Sequence, residues 1–306
     1  MLTAAGGWVA RSVQEGHRES IVSVENREAL LPCSQRGPTP FGPACVAEET
    51  CMKVVILAGG VGSRLSEETE VRPKPMVEIG GRPILWHIMK HFSHYGLNDF
   101  VICLGYKSEY VKKYFSDSLS LAADMTIDFA SGSIESHSGP KDDWRVTLVD
   151  TGASTETAGR MLKVRQYLGD EPFMMTYGDG VSNVDLDQLR KFHANHGHLA
   201  TVTAVHPIAR FGQMTLDGDM VTTFAEKPQM AEGWINGGFF VLNPGIFDHI
   251  PGDVDWAKAP MESLAASGEL AAYQHDGFWQ CMDMIRDKMF LESLWDSGNP
   301  PWKCWE

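Results

Sequence analysis

The 306-residue sequence lacks several features that would assign it to whole classes of protein. It has no apolar run of the roughly 18–20 residues that a helix needs to cross a bilayer, which argues against a membrane-spanning protein. Basic residues are scarce, because 26 Lys and Arg face 40 Asp and Glu. The resulting net charge of −14 argues against partners such as nucleic acid or an anionic membrane surface.

Cysteine is also sparse, and no two cysteines form a C-x-x-C pair. The six cysteines are Cys33, Cys45, Cys51, Cys103, Cys281 and Cys304. Cys103 lies in an apolar run, where a small core residue is expected rather than a reactive thiol. Because no signal peptide is visible, reduced thiols and a cytoplasmic location are the default expectation.

Two common phosphate-binding motifs are missing as well. A dinucleotide-binding fingerprint that starts at Gly60 needs a third glycine where Leu65 stands. A P-loop needs Gly-Lys-Ser/Thr after four spacer residues, and neither Gly59 nor Gly60 leads to one.

A different glycine loop is present, directly after an apolar run. Residues 54–57 are continuously apolar, which is typical of a strand buried on both faces, and Ala58-Gly59-Gly60-Val61-Gly62 follows. Arg64 and Lys74 bring positive charge to the same region. Backbone N–H groups without a shielding Cβ, together with two cations, predict a site for a polyphosphate. The alternative is an ordinary tight turn after a strand.

Strand and helix patterns alternate along the chain. Apolar runs predict strands at residues 54–57, 100–104, 125–129, 144–149, 173–177 and 199–205, and helical spacing is found at 84–92, 109–115, 160–168, 185–196 and 284–296. This alternation predicts an α/β, Rossmann-like fold: a mostly parallel twisted sheet with helices on both faces. Such sheets bind ligands at the carboxyl ends of their strands, which is where the glycine loop falls.

The first 51 residues differ in composition from the rest. They mix Gly, Pro, Ser and charged residues, with four prolines between residues 30 and 43. We expect a poorly ordered extension at 1–51 and a folded domain at 52–306. Two explanations of the extension stay open: translation assigned to a start codon upstream of the true one, and a targeting segment.

The motifs of residues 52–306 resemble the sugar-phosphate nucleotidyltransferase family. They are LAGGVGSRL at 57–65, RPKPMVEIGGRPIL at 72–85, YGDGV at 177–181, EKP at 226–228, NGGFFVLNP at 236–244 and GFWQCMD at 277–283. The later segments are most similar to members that use CTP and glucose 1-phosphate. The resemblance implies a nucleotide-diphospho-sugar transferase fold with a small β/α sugar-binding portion, Mg²⁺ as cofactor and a homo-oligomer, a hexamer in the family.

The resemblance also implies a role for each matching residue. Arg64 and Lys74 are expected to be catalytic, and Asp179 and Asp283 to hold Mg²⁺. The nucleotide is expected at Leu57, Ala58, Gly59, Gly60, Val61, Gly62, Ser63, Arg64, Lys74, Thr155, Arg160 and Gly178. The sugar phosphate is expected at Glu226, Lys227, Asn236 and Gly237.

Several residues have a plainer interpretation beside the functional one. Arg160 could be a charge on a helix surface, Asp179 part of an ordinary Asp-Gly turn, and Gly237 part of a strand bulge. The histidines at 193, 196 and 198 are interpreted as surface residues. The aromatic tail at 302–305 suggests an interface between subunits.

Two rival functions stay open. The first is a uridylyl- or thymidylyltransferase of the same fold, and the second is a non-catalytic module that senses a nucleotide.

Overall fold

The computed structural model describes residues 52–121, 123–137, 142–207, 213–225 and 233–305. The predicted extension at 1–51 and the predicted sugar-phosphate residues Glu226 and Lys227 lie outside the described residues. Across the described part of the chain, no helix has both the length and the apolar character that a membrane span requires.

The described strands, in chain order, are β1 Val54–Leu57, β2 Glu78–Ile79, β3 Arg82–Pro83, β4 Asp99–Leu104, β5 Met125–Asp128, β6 Ser133–Ser136, β7 Arg145–Asp150, β8 Phe173–Tyr177, β9 Gly180–Ser182, β10 Ala200–Val205, β11 Gln213–Asp217, β12 Met220–Ala225, β13 Ile235–Leu242, β14 Leu270–His275 and β15 Trp279–Cys281. The described α-helices are α1 Ser66–Thr69, α2 Ile84–His94, α3 Ser108–Leu121, α4 Thr157–Val164, α5 Leu186–His196, α6 Ala259–Ala266 and α7 Ile285–Asp296. Short 3-10 turns lie at Ser63–Leu65, Lys74–Met76, Arg165–Tyr167 and Pro244–His249.

Among these strands, seven form the main sheet in the order β14-β10-β13-β8-β1-β4-β7. Only β13 runs antiparallel to its neighbours, and the other pairs are parallel. The predicted α/β fold with a mostly parallel sheet is therefore confirmed. Because β1 is parallel to both β4 and β8, Leu57, Cys103 and Tyr177 lie side by side at the carboxyl edge.

The sheet is covered on both faces, as the continuous apolar runs predict. Val54 and Ile56 of β1 face one core with helices α2, α5 and α7, and Val55 and Leu57 face the other core with α4 and α6. Successive strand residues point to opposite faces, so a strand that is buried on both sides must be apolar throughout.

Some local predictions need correction. The strand expected at 125–129 is present as β5, but among the described strands it pairs with β6, in a hairpin outside the main sheet. Helix α3 extends well beyond the expected 109–115. The prediction of a surface position fails for His193, which is 5% exposed and hydrogen-bonded through Nδ1 to Thr201 Oγ1 at 2.8 Å.

The aromatic tail packs onto its own chain. Trp302 is 1% exposed, and its Nε1 lies 3.4 Å from His87 Nδ1. Its ring stacks near Phe278 and Trp295. Trp302 of the tail therefore packs within the subunit. An interface between subunits at the tail stays a prediction.

Candidate active site

The glycine loop, residues 58–63, begins where β1 ends at the carboxyl edge of the sheet. Its first residue still bonds to the sheet, since Ala58 N–H donates to Cys103 O at 3.0 Å. Gly62 has a φ of 67° and precedes the 3-10 turn that carries Arg64. A Cβ at Gly62 would lie 2.9 Å from Thr69 Cγ2, whereas a Cβ at Gly60 would meet nothing within 4 Å. The loop therefore has a packed inner side and an open side.

The open side borders a cavity of about 250 Å³. We call it the loop cavity. Ten residues predicted to bind nucleotide or metal line it: Leu57, Ala58, Gly60, Gly62, Ser63, Arg64, Lys74, Gly178, Asp179 and Asp283. Among the described residues, the loop cavity thus brings together most of the predicted nucleotide and metal site.

A short strand pair brings Asp179 and Asp283 together although they are far apart in sequence. Strand β9, which follows Asp179, pairs antiparallel with β15, which precedes Asp283, and Gly180 lies opposite Cys281. Met282 N–H also donates to Asp179 O at 2.8 Å. Both carboxylates consequently lie at the same wall of the loop cavity. Asp179 is part of an Asp-Gly turn as well, so the plainer interpretation and the functional one are compatible.

Lys74 joins the two carboxylates. Its Nζ donates to Asp179 Oδ2 and to Asp283 Oδ1, each at 2.6 Å. Burial by itself would lower the pKa of Lys74, but the charges and hydrogen bonds of Asp179 and Asp283 outweigh it and raise the pKa. Arg64, whose side chain is 67% exposed, contacts the other oxygen of Asp283, with Nη1 3.1 Å from Oδ2. Two cations and two carboxylates therefore face the glycine loop.

The carboxylate pair fits the predicted Mg²⁺ in the chemistry of its donors. Mg²⁺ prefers oxygen ligands and often takes only one or two carboxylates, with phosphate oxygens and water completing its shell. The described residues contain no cluster of three or more His, Cys, Asp or Glu that could hold a metal by protein ligands alone. Asp179 and Asp283 match a metal that arrives with a phosphate ligand.

Arg160 lies behind the loop, on its packed side. Arg160 is 3% exposed, and its guanidinium donates to Gly59 O at 3.0 Å, Leu104 O at 3.1 Å and Gly152 O at 2.8 Å. A Cβ at Gly59 would lie 2.2 Å from Arg160 Nη1, which explains the glycine. The interpretation of Arg160 as a surface charge was wrong, because it ties together backbone from the ends of β1, β4 and β7. Its predicted contact with the nucleotide stays a prediction.

The other predicted site residues lie outside the lining of the loop cavity. Thr155 Oγ1 donates to Thr151 O at 2.6 Å and accepts from Lys163 Nζ at 3.0 Å. Asn236 Oδ1 accepts from Gly238 N at 2.9 Å, and its Nδ2 lies 3.5 Å from the hydroxyl of Tyr177. The predicted nucleotide residues Gly59 and Val61 also lie outside the lining.

Gly237 belongs to a bulge, as its plainer interpretation proposed. The pairing of β13 with β10 shifts register between the contacts of Val202 and Ala204. A Cβ at Gly237 would lie 2.9 Å from Thr203 O, so its glycine is required by packing against β10. A contact with sugar phosphate at Gly237 stays a prediction.

Sequence reasoning missed three lining residues: Pro75, Thr157 and Tyr177. Tyr177 is the last residue of β8, and burial raises its pKa to about 12, so its hydroxyl stays protonated. Its position at the end of a predicted strand, directly before Gly178, could have indicated that Tyr177 lines the site, because ligands bind at the carboxyl ends of the strands. Thr157 begins α4, and its Oγ1 donates to Asp255 Oδ1 at 2.9 Å.

An α/β sheet with a glycine loop, two cations and a carboxylate pair at its carboxyl edge defines a nucleotide-binding protein equipped for phosphate chemistry. Comparison with known proteins gives the family. Residues 53–282 match the family model described as Nucleotidyl transferase. The chain therefore belongs to the nucleotidyl transferase family.

Individual relatives agree with this assignment. The chain is 51% identical over 257 residues to a glucose-1-phosphate cytidylyltransferase of Salmonella typhi, covering 83% of this chain and all of the relative. It is 44% identical over 256 residues to a probable glucose-1-phosphate cytidylyltransferase of Bacillus subtilis, with the same coverage. The crystal structure of an apo UDP-glucose pyrophosphorylase gives a TM-score of 0.59 at 16% identity, covering 81% of this chain and 99% of that one, a likeness of fold alone.

Proposed function

We propose that this chain is a cytidylyltransferase that converts CTP and α-D-glucose 1-phosphate to CDP-glucose and pyrophosphate. The observation that carries the proposal is the convergence of the glycine loop, Lys74 and the Asp179–Asp283 pair on one cavity. The substrates are taken from the relatives that are 44–51% identical over their whole length.

The reaction needs positioning and charge neutralisation more than proton transfer. A sugar phosphate has its second pKa near ~6, so its attacking oxygen is already ionised at neutral pH. That oxygen forms a bond to the α-phosphorus of CTP, while the bond from the α-phosphorus to the bridging oxygen breaks and pyrophosphate leaves. No general base is required, and the difficulty is the approach of one anion to another.

The chain's own cations address that difficulty. Lys74 is a point charge suited to the α-phosphate, where negative charge grows as the new bond forms. The exposed Arg64 can reach the β- and γ-phosphates with a bidentate guanidinium. Backbone N–H groups of the glycine loop supply donors on its open side, where a Cβ at Gly60 would meet no neighbour.

Asp179 and Asp283 are the residues that would hold Mg²⁺ in this proposal. When bound, the metal acts as a Lewis acid on the nucleotide phosphates and offsets their charge. In the structure the same carboxylates accept hydrogen bonds from Lys74, whose ammonium lies at the wall of the loop cavity. In an acidic chain with a net charge of −14, such local positive charge is needed to attract a triphosphate.

The sugar phosphate is proposed to bind next to Tyr177, on the side of Asn236. The side-chain amide of Asn236 contacts the hydroxyl of Tyr177, and Tyr177 is one of the residues that line the loop cavity. The remaining proposed contacts are Glu226 to the sugar hydroxyls, Lys227 to the phosphate, and the backbone of Gly237. We also propose a homo-oligomer, on the basis of the family resemblance.

A panel of nucleotides tests the function directly. The purified chain is incubated with Mg²⁺, glucose 1-phosphate and CTP, UTP, dTTP or GTP in turn, and release of pyrophosphate is followed. CTP is expected to support the fastest turnover. Preference for UTP or dTTP would support the first rival, and nucleotide binding without pyrophosphate release from any member would support the sensing module.

Substitutions at the site test the mechanism. Lys74→Ala is expected to lower kcat on the order of 10²–10³-fold, because it removes a charge at the reacting phosphate. Lys90→Ala is a matched control, since Lys90 pairs with Asp142 outside the loop cavity. Near-normal turnover of the folded Lys74→Ala protein would remove Lys74 from the mechanism.

A further inference from the structure

We propose that Lys74 takes the place of the divalent cation between Asp179 and Asp283 when no nucleotide is bound, so that lysine and metal compete for the same two carboxylates. The inference rests on the proposed function, since it takes these aspartates to be the metal ligands. It goes further by assigning an order to the events: the metal enters with the nucleotide, and Lys74 leaves.

The geometry of the ammonium carries the proposal. Because Asp179 Oδ2 and Asp283 Oδ1 both lie 2.6 Å from Lys74 Nζ, these two oxygens are separated by no more than twice that distance. The ammonium therefore occupies the gap that an ion shared by both carboxylates would fill. Its side chain is 12% exposed, so the contact is sheltered from solvent. Arg64 lies on the second oxygen of Asp283, at 3.1 Å, which adds a further positive charge.

Metal and ammonium exclude one another for two reasons. Mg²⁺ binds carboxylate oxygens at about 2.0–2.1 Å, so it needs the same lone pairs and nearly the same position as the ammonium. The two cations also repel each other at short range in a partly buried site. In the absence of nucleotide, the divalent cation must displace a charge-assisted hydrogen-bond pair before it can bind.

A bound triphosphate changes that balance. Its negative charge gives Lys74 a new partner, and the long lysine stem on the short Lys74–Met76 turn can swing while its backbone stays fixed. The aspartates are then released to the metal that the nucleotide carries. Binding of nucleotide and metal is consequently cooperative, and by linkage each tightens the other to the same extent.

Titration of the free protein with Mn²⁺, monitored by the electron paramagnetic resonance signal of unbound Mn²⁺, tests this inference without substrate or turnover. We expect Lys74→Met to bind Mn²⁺ at least about tenfold more tightly than the natural chain, because two strong hydrogen bonds no longer compete. Lys90→Met removes the same charge outside the loop cavity and is expected to leave the Mn²⁺ affinity unchanged.

Two further variants locate the effect. Adding Asp179→Asn to Lys74→Met is expected to abolish the gain, which shows that the tighter site uses this carboxylate. If Lys74→Met does not fold, as judged by circular dichroism, Lys74→Gln keeps most of the stem and is expected to show a smaller gain of the same sign.

The outcomes separate this inference from the proposed function. Equal Mn²⁺ affinities for the natural chain, Lys74→Met and Lys90→Met would overturn the competition, even if CTP and glucose 1-phosphate were converted to CDP-glucose. A gain that survives Asp179→Asn, or that appears equally in Lys90→Met, would also overturn it. A different nucleotide preference would correct the proposed substrates and leave the competition intact.

Discussion

Replacement of Arg160 by methionine tests how the glycine loop is supported. The guanidinium donates to four acceptors, which are the carbonyls of Gly59, Leu104 and Gly152 and the hydroxyl of Thr151. Two carbonyls keep other donors, since Gly59 O also accepts from Tyr106 N–H and Leu104 O from Thr151 N–H. The loss is therefore smaller than four full hydrogen bonds, and we expect Arg160→Met to lower the free energy of unfolding by about 2–4 kcal/mol.

Urea unfolding at neutral pH measures this loss. Arg165→Met is the matched control, because Arg165 follows the same helix, is exposed and lies over the ring of Phe247. Its loss is expected to be about 1 kcal/mol or less. If Arg160→Met is no less stable than Arg165→Met, the four contacts do not support the loop and the reasoning is wrong.

The same variant separates support of the loop from contact with the base. If Arg160 only holds the loop, Arg160→Met weakens binding of CTP and of inorganic tripolyphosphate by a similar factor, since both depend on the loop's N–H groups. The family resemblance places Arg160 at the nucleotide. If that contact is with the base, CTP binding falls while tripolyphosphate binding does not. Isothermal titration with each ligand distinguishes the two results.

Three further predictions concern the glycine loop, the carboxylate pair and two buried histidines. Gly59→Ala places a Cβ 2.2 Å from Arg160 Nη1 and should lower the melting temperature. In Gly60→Ala the new Cβ meets no neighbour within 4 Å, so the melting temperature should stay unchanged while CTP binding weakens. Asp283→Asn should reduce kcat on the order of 10²–10³-fold with an unchanged circular dichroism spectrum, and full activity would exclude it as a metal ligand. Burial lowers the pKa of His87 and His91 from 6.5 to about 4, so stability should be full above pH 6.5 and fall towards pH 4. The slope is about 1.4 kcal/mol per pH unit per histidine, and urea unfolding that is flat across this range would contradict the burial.

The sheet and the glycine loop could be predicted from local sequence because their signals are local. The run at Val54–Leu57 is apolar at every position, and only a strand covered on both faces requires that. By contrast, the run at 125–129 has the composition of a strand but no information on its partner, and it forms a separate hairpin with β6. Strand propensity does not specify which sheet a strand joins.

The site was predicted best where glycine and charge occur together, as at Gly62, Lys74 and Asp179. The position of Arg160 could not be predicted, because a buried guanidinium is stable only where carbonyls from separate strands converge on it. Tyr177 and Thr157 were missed because their types are common in cores and at helix starts, and only the assembled sheet edge turns them towards the cavity.

The pairing of β9 with β15 has a consequence for how this protein acquires its chemistry during synthesis. The glycine loop, Lys74 and Asp179 emerge from the ribosome long before Asp283, which is 209 residues after Lys74. A nascent or prematurely terminated chain that ends before β15 carries half of the carboxylate pair and leaves Lys74 with one anchor. Both anchors of Lys74, and with them the proposed metal site, are therefore expected only after β15 has been synthesised and has paired with β9.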